Sequence, residues 1–310
     1  MEVMKITLYL MTRKGYEVLR CLLNNNFKNL ISEIIIGRDD NIEADFANEI
    51  IALCEDNTIS YYERNEDYKV VSNYSIAISW RWLIPENKSK LIVLHDSLLP
   101  KYRGFSPLVN MLINKESKIG VSAIFASQEY DKGAIIDQSA TEINYPITIS
   151  EAIELISQDY TKIILRIFDT LNNGQQLKAV EQNEALASYS LWRDENDYFI
   201  DWEKDSNNIL NFINSVSSPY KGAAAYINSF QKIRILEAKI EDDLRIENRD
   251  VGKVIFIKNK FPVIVCGTGL IKLTKIIDDE THESLIPLKN FRVRLTSFNT
   301  IIKKRSENNI

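Results

Sequence analysis

At 310 residues and 45% hydrophobic content, the chain is long enough for two domains with ordinary cores. Its formal charge of −5 argues against a polyanion as the main partner, because phosphate backbones are held by clustered Lys and Arg, so nucleic acid is not expected. Cys21, Cys54 and Cys266 are scattered, with no CxxC and no neighbouring His. They give neither a zinc spacing nor a disulfide framework, and a reducing cytoplasm is the simplest setting. The N-terminus lacks a signal-peptide cleavage pattern, and no run reaches the roughly 18 apolar residues of a membrane span, so no membrane partner is expected.

Met4 to Leu10 reads as a strand, followed by Gly15 and then Tyr16, Val18, Leu19, Leu22 and Leu23 at helical spacing. Ile34 to Ile36 gives a second strand, Ile42 to Cys54 a second helix and Tyr74 to Trp80 a third strand. Strands alternating with helices predict an α/β, Rossmann-like parallel sheet. Nothing matches GxGxxG, GxxxxGK[ST] or GxSxG, so nicotinamide, P-loop and serine-hydrolase readings have no support.

Leu91 to Leu94 is a short apolar strand that delivers His95 to its carboxyl end, where open α/β sheets bind ligands. Ser97 to Gly104 then form an irregular loop containing Pro100. Thirty-six positions beyond His95, Asp131 lies in a second loop, Glu129 to Gly133, so an imidazole and a carboxylate can share one crevice. The spacing alone also allows plainer roles. A lone strand-end histidine is often structural, and an Asp ahead of Lys-Gly is often an Asx-turn residue. Lys101 and Arg103 read equally as solvated loop charges. His282, in a polar stretch, reads as a surface residue.

Ser106 to Ile113 is a helix with its proline in the first turn, and Ile119 to Ala126 is the next strand. Thr148-Ile-Ser-Glu151 is a capping box that opens a long amphipathic helix carrying Ala152, Leu155, Ile156, Ile163, Ile164 and Ile167. The expected organisation is a first domain over 1–172, a polar linker over 173–187 and a C-terminal domain over 188–310. In that last part, short β runs at 252–257, 263–265 and 270–273 are separated by Pro262 and by the Gly267-Thr-Gly269 turn. They predict a small OB-like barrel. The closing 303–310 reads as a frayed tail.

His95-Asp-Ser-Leu-Leu-Pro-Lys-Tyr-Arg-Gly104, Ile119-Gly-Val-Ser122 and Asp131-Lys-Gly-Ala-Ile-Ile136 together resemble the signature of the folate-dependent formyltransferases, a family that includes glycinamide ribonucleotide, methionyl-tRNA and sugar N-formyltransferases. Ser188 to Arg193, Ile200 to Trp202 and Ser218 to Gly222 resemble the segment that follows the catalytic domain in the methionyl-tRNA and amino-arabinose enzymes. The resemblance implies a cytoplasmic enzyme that takes its formyl group from N10-formyltetrahydrofolate without a metal, with His95 and Asp131 catalytic. It assigns folate contacts to Trp82, Leu83 and Ile84, chiefly through backbone atoms, and to Ser127, Gln128, Glu129, Tyr130 and Asp131. The family's asparagine two residues before the histidine is replaced by Val93, which has no donor for the formyl oxygen.

Three functions follow from these residues. The first is formylation of the amine of a nucleotide-linked amino deoxysugar, favoured by the acidic balance and by a C-terminal domain beyond the minimal purine enzyme, with Lys101 and Arg103 near the diphosphate. The second is methionyl-tRNA formylation. The third, motivated by Val93, is a non-catalytic folate- or nucleotide-binding relative. The sugar, the base and the oligomeric state stay open, a homodimer being one option.

Overall fold

The structure is a computed structural model and describes residues 4–40, 42, 44–85 and 89–297. The expected tail at 303–310 lies outside the described residues. The chain divides into two compact units, the first made of 1–108, 117–143 and 151–191, the second of 109–116, 144–150 and 192 onward.

The first unit is built on β1 (Ile6–Leu10), α1 (Thr12–Asn24), β2 (Ile31–Ile36), α2 (Ala47–Asp56), β3 (Tyr61–Glu63), β4 (Tyr74–Ile78) and β5 (Lys90–His95). Then come β6 (Arg103–Gly104), α3 (Pro107–Ile113), β7 (Lys118–Phe125), β8 (Ile135–Glu142), α4 (Ile149–Asn172) and β9 (Tyr189–Ser190), although residues 109–113 of α3 belong to the second unit. Every residue of β1 and of β4 is buried, as expected of central strands whose apolar runs have no polar face. On α1 the buried positions Gly15, Val18, Leu19 and Leu22 follow the helical period read from the sequence. The second helix starts at Ala47 rather than Ile42, after Phe46 in the left-handed region at φ 59°.

The seven-stranded sheet has the order β3-β2-β1-β4-β5-β7-β8. The first five strands are parallel, but β7 runs antiparallel to β5 and β8 antiparallel to β7. The expected parallel pairing therefore stops at β5. Strand β8 also escaped the sequence reading, because its second half alternates exposed and half-buried residues as an edge strand does, without an apolar run.

The expected linker at 173–187 is packed onto the first unit instead. Val180 and Ile135 exchange two backbone hydrogen bonds of 2.8 Å, and β9 pairs in parallel with β6. A polar composition led to the linker reading, whereas these polar groups are spent on partners inside the unit.

The second unit contains α5 (Ser206–Val216), β10 (Ala223–Ile227), β11 (Gln231–Glu241), β12 (Val254–Lys258), β13 (Phe261–Val265), β14 (Leu270–Asp278) and β15 (Leu295–Thr296). Its antiparallel sheet has the order β12-β13-β14-β11-β10-β15. Val254 N–H donates to Val293 O and Leu295 N–H to Gly252 O, which draws the two outer strands together and curls the sheet as a barrel-like layer. The turn between β12 and β13 is made by Asn259 and Lys260, both at positive φ, so Pro262 lies within β13 rather than between strands.

A polar knot lies beneath the end of β5. Asp96 accepts from Lys14 Nζ on α1 at 2.5 Å and from the Tyr160 hydroxyl on α4, and that hydroxyl is also 3.3 Å from the Leu94 carbonyl. Burial works to raise the Asp96 carboxyl, but the Lys14 ammonium and the hydrogen bonds from Lys14 and Tyr160 outweigh it and hold the group below the usual aspartate range. A carboxylate depressed in the folded state adds stability above its unfolded value of about 3.9, and that stability is lost as pH falls through the folded value. Asp96→Asn is expected to lower unfolding stability near pH 7 by about 1.5–3 kcal/mol, the range for hydrogen bonds to charged groups. In urea unfolding at stepped pH, the difference from the parent should narrow below about pH 4.

Candidate active site

His95 is the last residue of β5, and alternation along the strand puts Leu91, Val93 and His95 on one face. The imidazole is 9% exposed. Nε2 lies 2.8 Å from the Tyr102 carbonyl, which can only accept, so the Nε2 proton is committed there. Nδ1 is left as the nitrogen that can take or give a proton, and it faces Asp131 Oδ1 at 3.5 Å. The other carboxylate oxygen, Oδ2, accepts the Gly104 N–H at 2.8 Å, which stops the carboxylate from rotating away.

Both loops are held rigidly. Ser97 Oγ donates to Lys101 O at 2.7 Å, and Ser122 Oγ, on β7, donates to Ser97 O at 2.6 Å and accepts the Leu99 N–H at 2.9 Å. Gln138 on β8 donates to the Leu99 carbonyl and to Ser122 Oγ. Tyr102, at φ 58°, turns its carbonyl towards His95, and Gly104, at φ 98°, adopts a backbone that only glycine holds easily. The second loop closes on Gly133, where a Cβ would stand 1.7 Å from the Phe125 carbonyl. Any side chain there would push the loop off β7.

The expected folate-lining residues fall into two groups. Ala126 N–H donates to Leu91 O, so the second loop begins level with Leu91 and by Asp131 has reached His95. Ser127, Gln128, Glu129 and Tyr130 span that distance as exposed residues, with Glu129 paired to Lys132. Ile84 and Val93 pack against the buried cluster of Tyr9, Ile35 and Ala77, which places Ile84 on the His95 side of the sheet. Leu83 is 80% exposed. Trp82 packs edge-on against Trp80 with ring centres 5.1 Å apart, and its ring lies under Arg64 at 4.3 Å and Arg81 at 5.0 Å. An apolar wall, exposed loop backbone and a carboxylate–imidazole pair along one strand suit a flat ligand with one polar edge.

The two cations expected near a diphosphate separate. Lys101 is exposed on the first loop. Arg103 is fully buried. Its Nε and Nη2 donate to Gln182 Oε1 at 3.1 and 2.7 Å, Nη1 and Nη2 to Glu184 at 2.9 and 2.6 Å, and Nη1 to the Tyr189 hydroxyl at 3.3 Å. All five N–H donors are occupied, so the phosphate role expected of Arg103 is corrected to an internal one. Gln138, Gln182, Glu184 and Tyr189 were not read as site residues. Polar residues in aperiodic sequence carry no signal of what they hold.

Residues 44–167 match the family described as formyl transferase, and residues 193–284 match the formyl transferase C-terminal domain. The chain belongs to the formyl transferase family. The family's enzymes move a formyl group from a folate, and His95 and Asp131 both lie within the matched range 44–167. Methionyl-tRNA formyltransferase of Fusobacterium nucleatum is 28% identical over 221 residues, 69% of each chain. Among solved structures, the chain is similar to WlaRD, a sugar 3N-formyl transferase, with a TM-score of 0.67 and 20% identity, over 88% of this chain and 98% of that one. It is also similar to the N-formyltransferase from Helicobacter canadensis, with a TM-score of 0.63 and 18% identity, over 87% and 99%. Among the described residues no group of His, Cys, Asp and Glu is placed to hold a metal, and no helix is long and apolar enough to cross a membrane.

Val93, where the resemblance leads one to expect asparagine, is half-buried and packs against Tyr9, Ile35 and Ala77. Val93→Asn would set a carboxamide against Tyr9, Ile35 and Ala77, leaving polar atoms unpaired at about 1–3 kcal/mol. Denaturant unfolding should show that loss, and turnover should not rise. A parent-like midpoint with faster turnover would mean that the amide finds its partners at the formyl oxygen.

Proposed function

We propose that the chain transfers the formyl group of N10-formyltetrahydrofolate to the amine of a nucleotide-linked amino deoxysugar. The observation that carries the reading is the charge left at the site. Of the three cations on the two loops, Arg103 is neutralised internally by Glu184, Lys132 is paired with Glu129, and Lys101 is exposed on the first loop. One exposed loop lysine without a carboxylate partner among the described residues, in a chain of net charge −5, suits a diphosphate better than an RNA backbone. The structural relatives support it in their own right, WlaRD having been solved with dTDP and 5-N-formyl-THF and the Helicobacter enzyme with folinic acid and dTDP-3-aminofucose.

A folate held against Ile84, Val93 and the 127–131 loop would supply an activated formyl carbon for the amine to attack. An attacking amine must shed a proton, and His95 Nδ1 is the nitrogen free to accept it. Asp131 Oδ1, 3.5 Å away, then faces the imidazolium. The Nε2 contact to Tyr102 O prevents the ring from turning away, so the same proton can be returned to a leaving nitrogen. With valine at position 93 and the Gly104 N–H engaged by Asp131, the protonated Nδ1 is also the donor nearest to hand for an oxygen that gains negative charge. An amino group on a sugar ring, flanked by electron-withdrawing oxygens, gives up its proton more easily than a lysine-type amine and so suits this base near neutral pH.

Formylation of methionyl-tRNA is the second reading, favoured by the names of the curated sequence relatives. Mass spectrometry of a panel of nucleotide-linked 3-amino and 4-amino deoxysugars, the free sugars and methionyl-tRNA, each incubated with enzyme and formyl donor, separates them. A nucleotide sugar should gain one formyl group, and the free sugar should be far poorer because the diphosphate contributes binding. His95→Ala should lower turnover by at least about 10²-fold. Formylated methionyl-tRNA with untouched sugars would establish the second reading, and folate binding without any formylated amine would point to a non-catalytic relative.

A further inference from the structure

We infer that Gln182, in the polar segment after α4, is the positioning residue of the Asp131–His95 pair. The inference rests on reading that pair as the catalytic one. The Gln182 carboxamide has two N–H donors and an oxygen with two lone pairs, and all four are used. Nε2 donates to the Asp131 carbonyl at 2.7 Å and to the Gly133 carbonyl at 2.8 Å, while Oε1 accepts from Arg103 Nε and Nη2. One side chain therefore grips both loops of the site.

The grip closes a ring of contacts. From Asp131 the carboxylate reaches the Gly104 N–H, the backbone leads from Gly104 to Arg103, the guanidinium reaches Gln182, and Gln182 returns to the Asp131 carbonyl. Tyr102, adjoining Arg103, supplies the carbonyl that holds His95 Nε2. Asp131 itself sits at φ 57°, a left-handed conformation that a residue with a Cβ keeps only when its surroundings enforce it. Gln182 holds the peptide oxygen of that residue and the next but one, so it fixes the direction in which the carboxylate leaves the chain. Without these two bonds the 126–133 loop can relax towards ordinary backbone angles, and Oδ1 drifts from Nδ1.

Two variants separate the halves of the grip. Gln182→Ala removes everything, whereas Gln182→Glu keeps the shape and the Arg103 contacts but has no N–H for the Asp131 and Gly133 carbonyls. The chain has two histidines, so imidazole ¹⁵N spectra of the full-length protein contain two sets of signals, with His282 as internal control. This readout needs no substrate and stands whatever amine the enzyme formylates. The expected result is a displaced His95 Nδ1 signal in both variants, an unmoved His282, and a kcat loss on the order of 10²-fold with KM little changed, the scale for a catalytic group misplaced by about 1 Å. If Gln182 acts through Asp131, adding Gln182→Ala to Asp131→Asn should change kcat little further. Parent-like His95 signals and parent-like kcat in Gln182→Glu would overturn the inference. So would losses that simply add in the double variant.

Discussion

A guanidinium with no exposed surface must spend every N–H inside the protein, and Arg103 is that group. Its partners cannot come from its own loop. Glu184, Gln182 and Tyr189 all lie in the segment after α4, so burying Arg103 recruits a stretch of chain some eighty residues away. Only the guanidinium is withdrawn from water, the Glu184 side chain being 63% exposed, but the arrangement is strict about geometry because any departure leaves the buried charge without a partner. The Gln182, Val180 and β9 contacts are the means by which that strictness is transmitted to the 97–104 and 126–133 loops.

Electrostatics around His95 is arranged in two layers. Asp131 faces Nδ1 directly, while Asp96, the next residue in the chain, points away into Lys14 and Tyr160. Asp96 follows the last residue of β5, and its side chain leaves on the side of α1 and α4. The carboxylate on the His95 face is free to serve the imidazole, and the one on the other face is already neutralised.

Much of this was legible in the residues. The apolar runs of β1, β4 and β5 announced buried strands, and the motif that begins at His95 marked the strand end and the loop after it. Asp131 was legible only because its flanking residues belong to the same signature. What stayed hidden depends on partners distant in sequence. Arg103 looks the same in a string of letters whether it faces solvent or Glu184. The 173–187 stretch has a linker's composition and a clamp's position, and β8 lacks a hydrophobic run because one side of it is open. The side chain without a donor at Val93 was readable, but its company of Tyr9, Ile35 and Ala77 required the fold.

The aromatic cluster behind Val93 gives the molecule an optical handle. Two of its four tryptophans, Trp80 and Trp82, lie edge to face at 5.1 Å, and Trp80 meets Tyr9 at the same distance within the cluster that contains Val93 and Ile84. The other two, Trp192 and Trp202, belong to the second unit, where one is 62% exposed and the other 4%. Their emission forms a background from the second unit. The tryptophan fluorescence of the first unit therefore originates beside Val93 and Ile84, and quenching or a colour change there would report a ligand seated against that wall without any label.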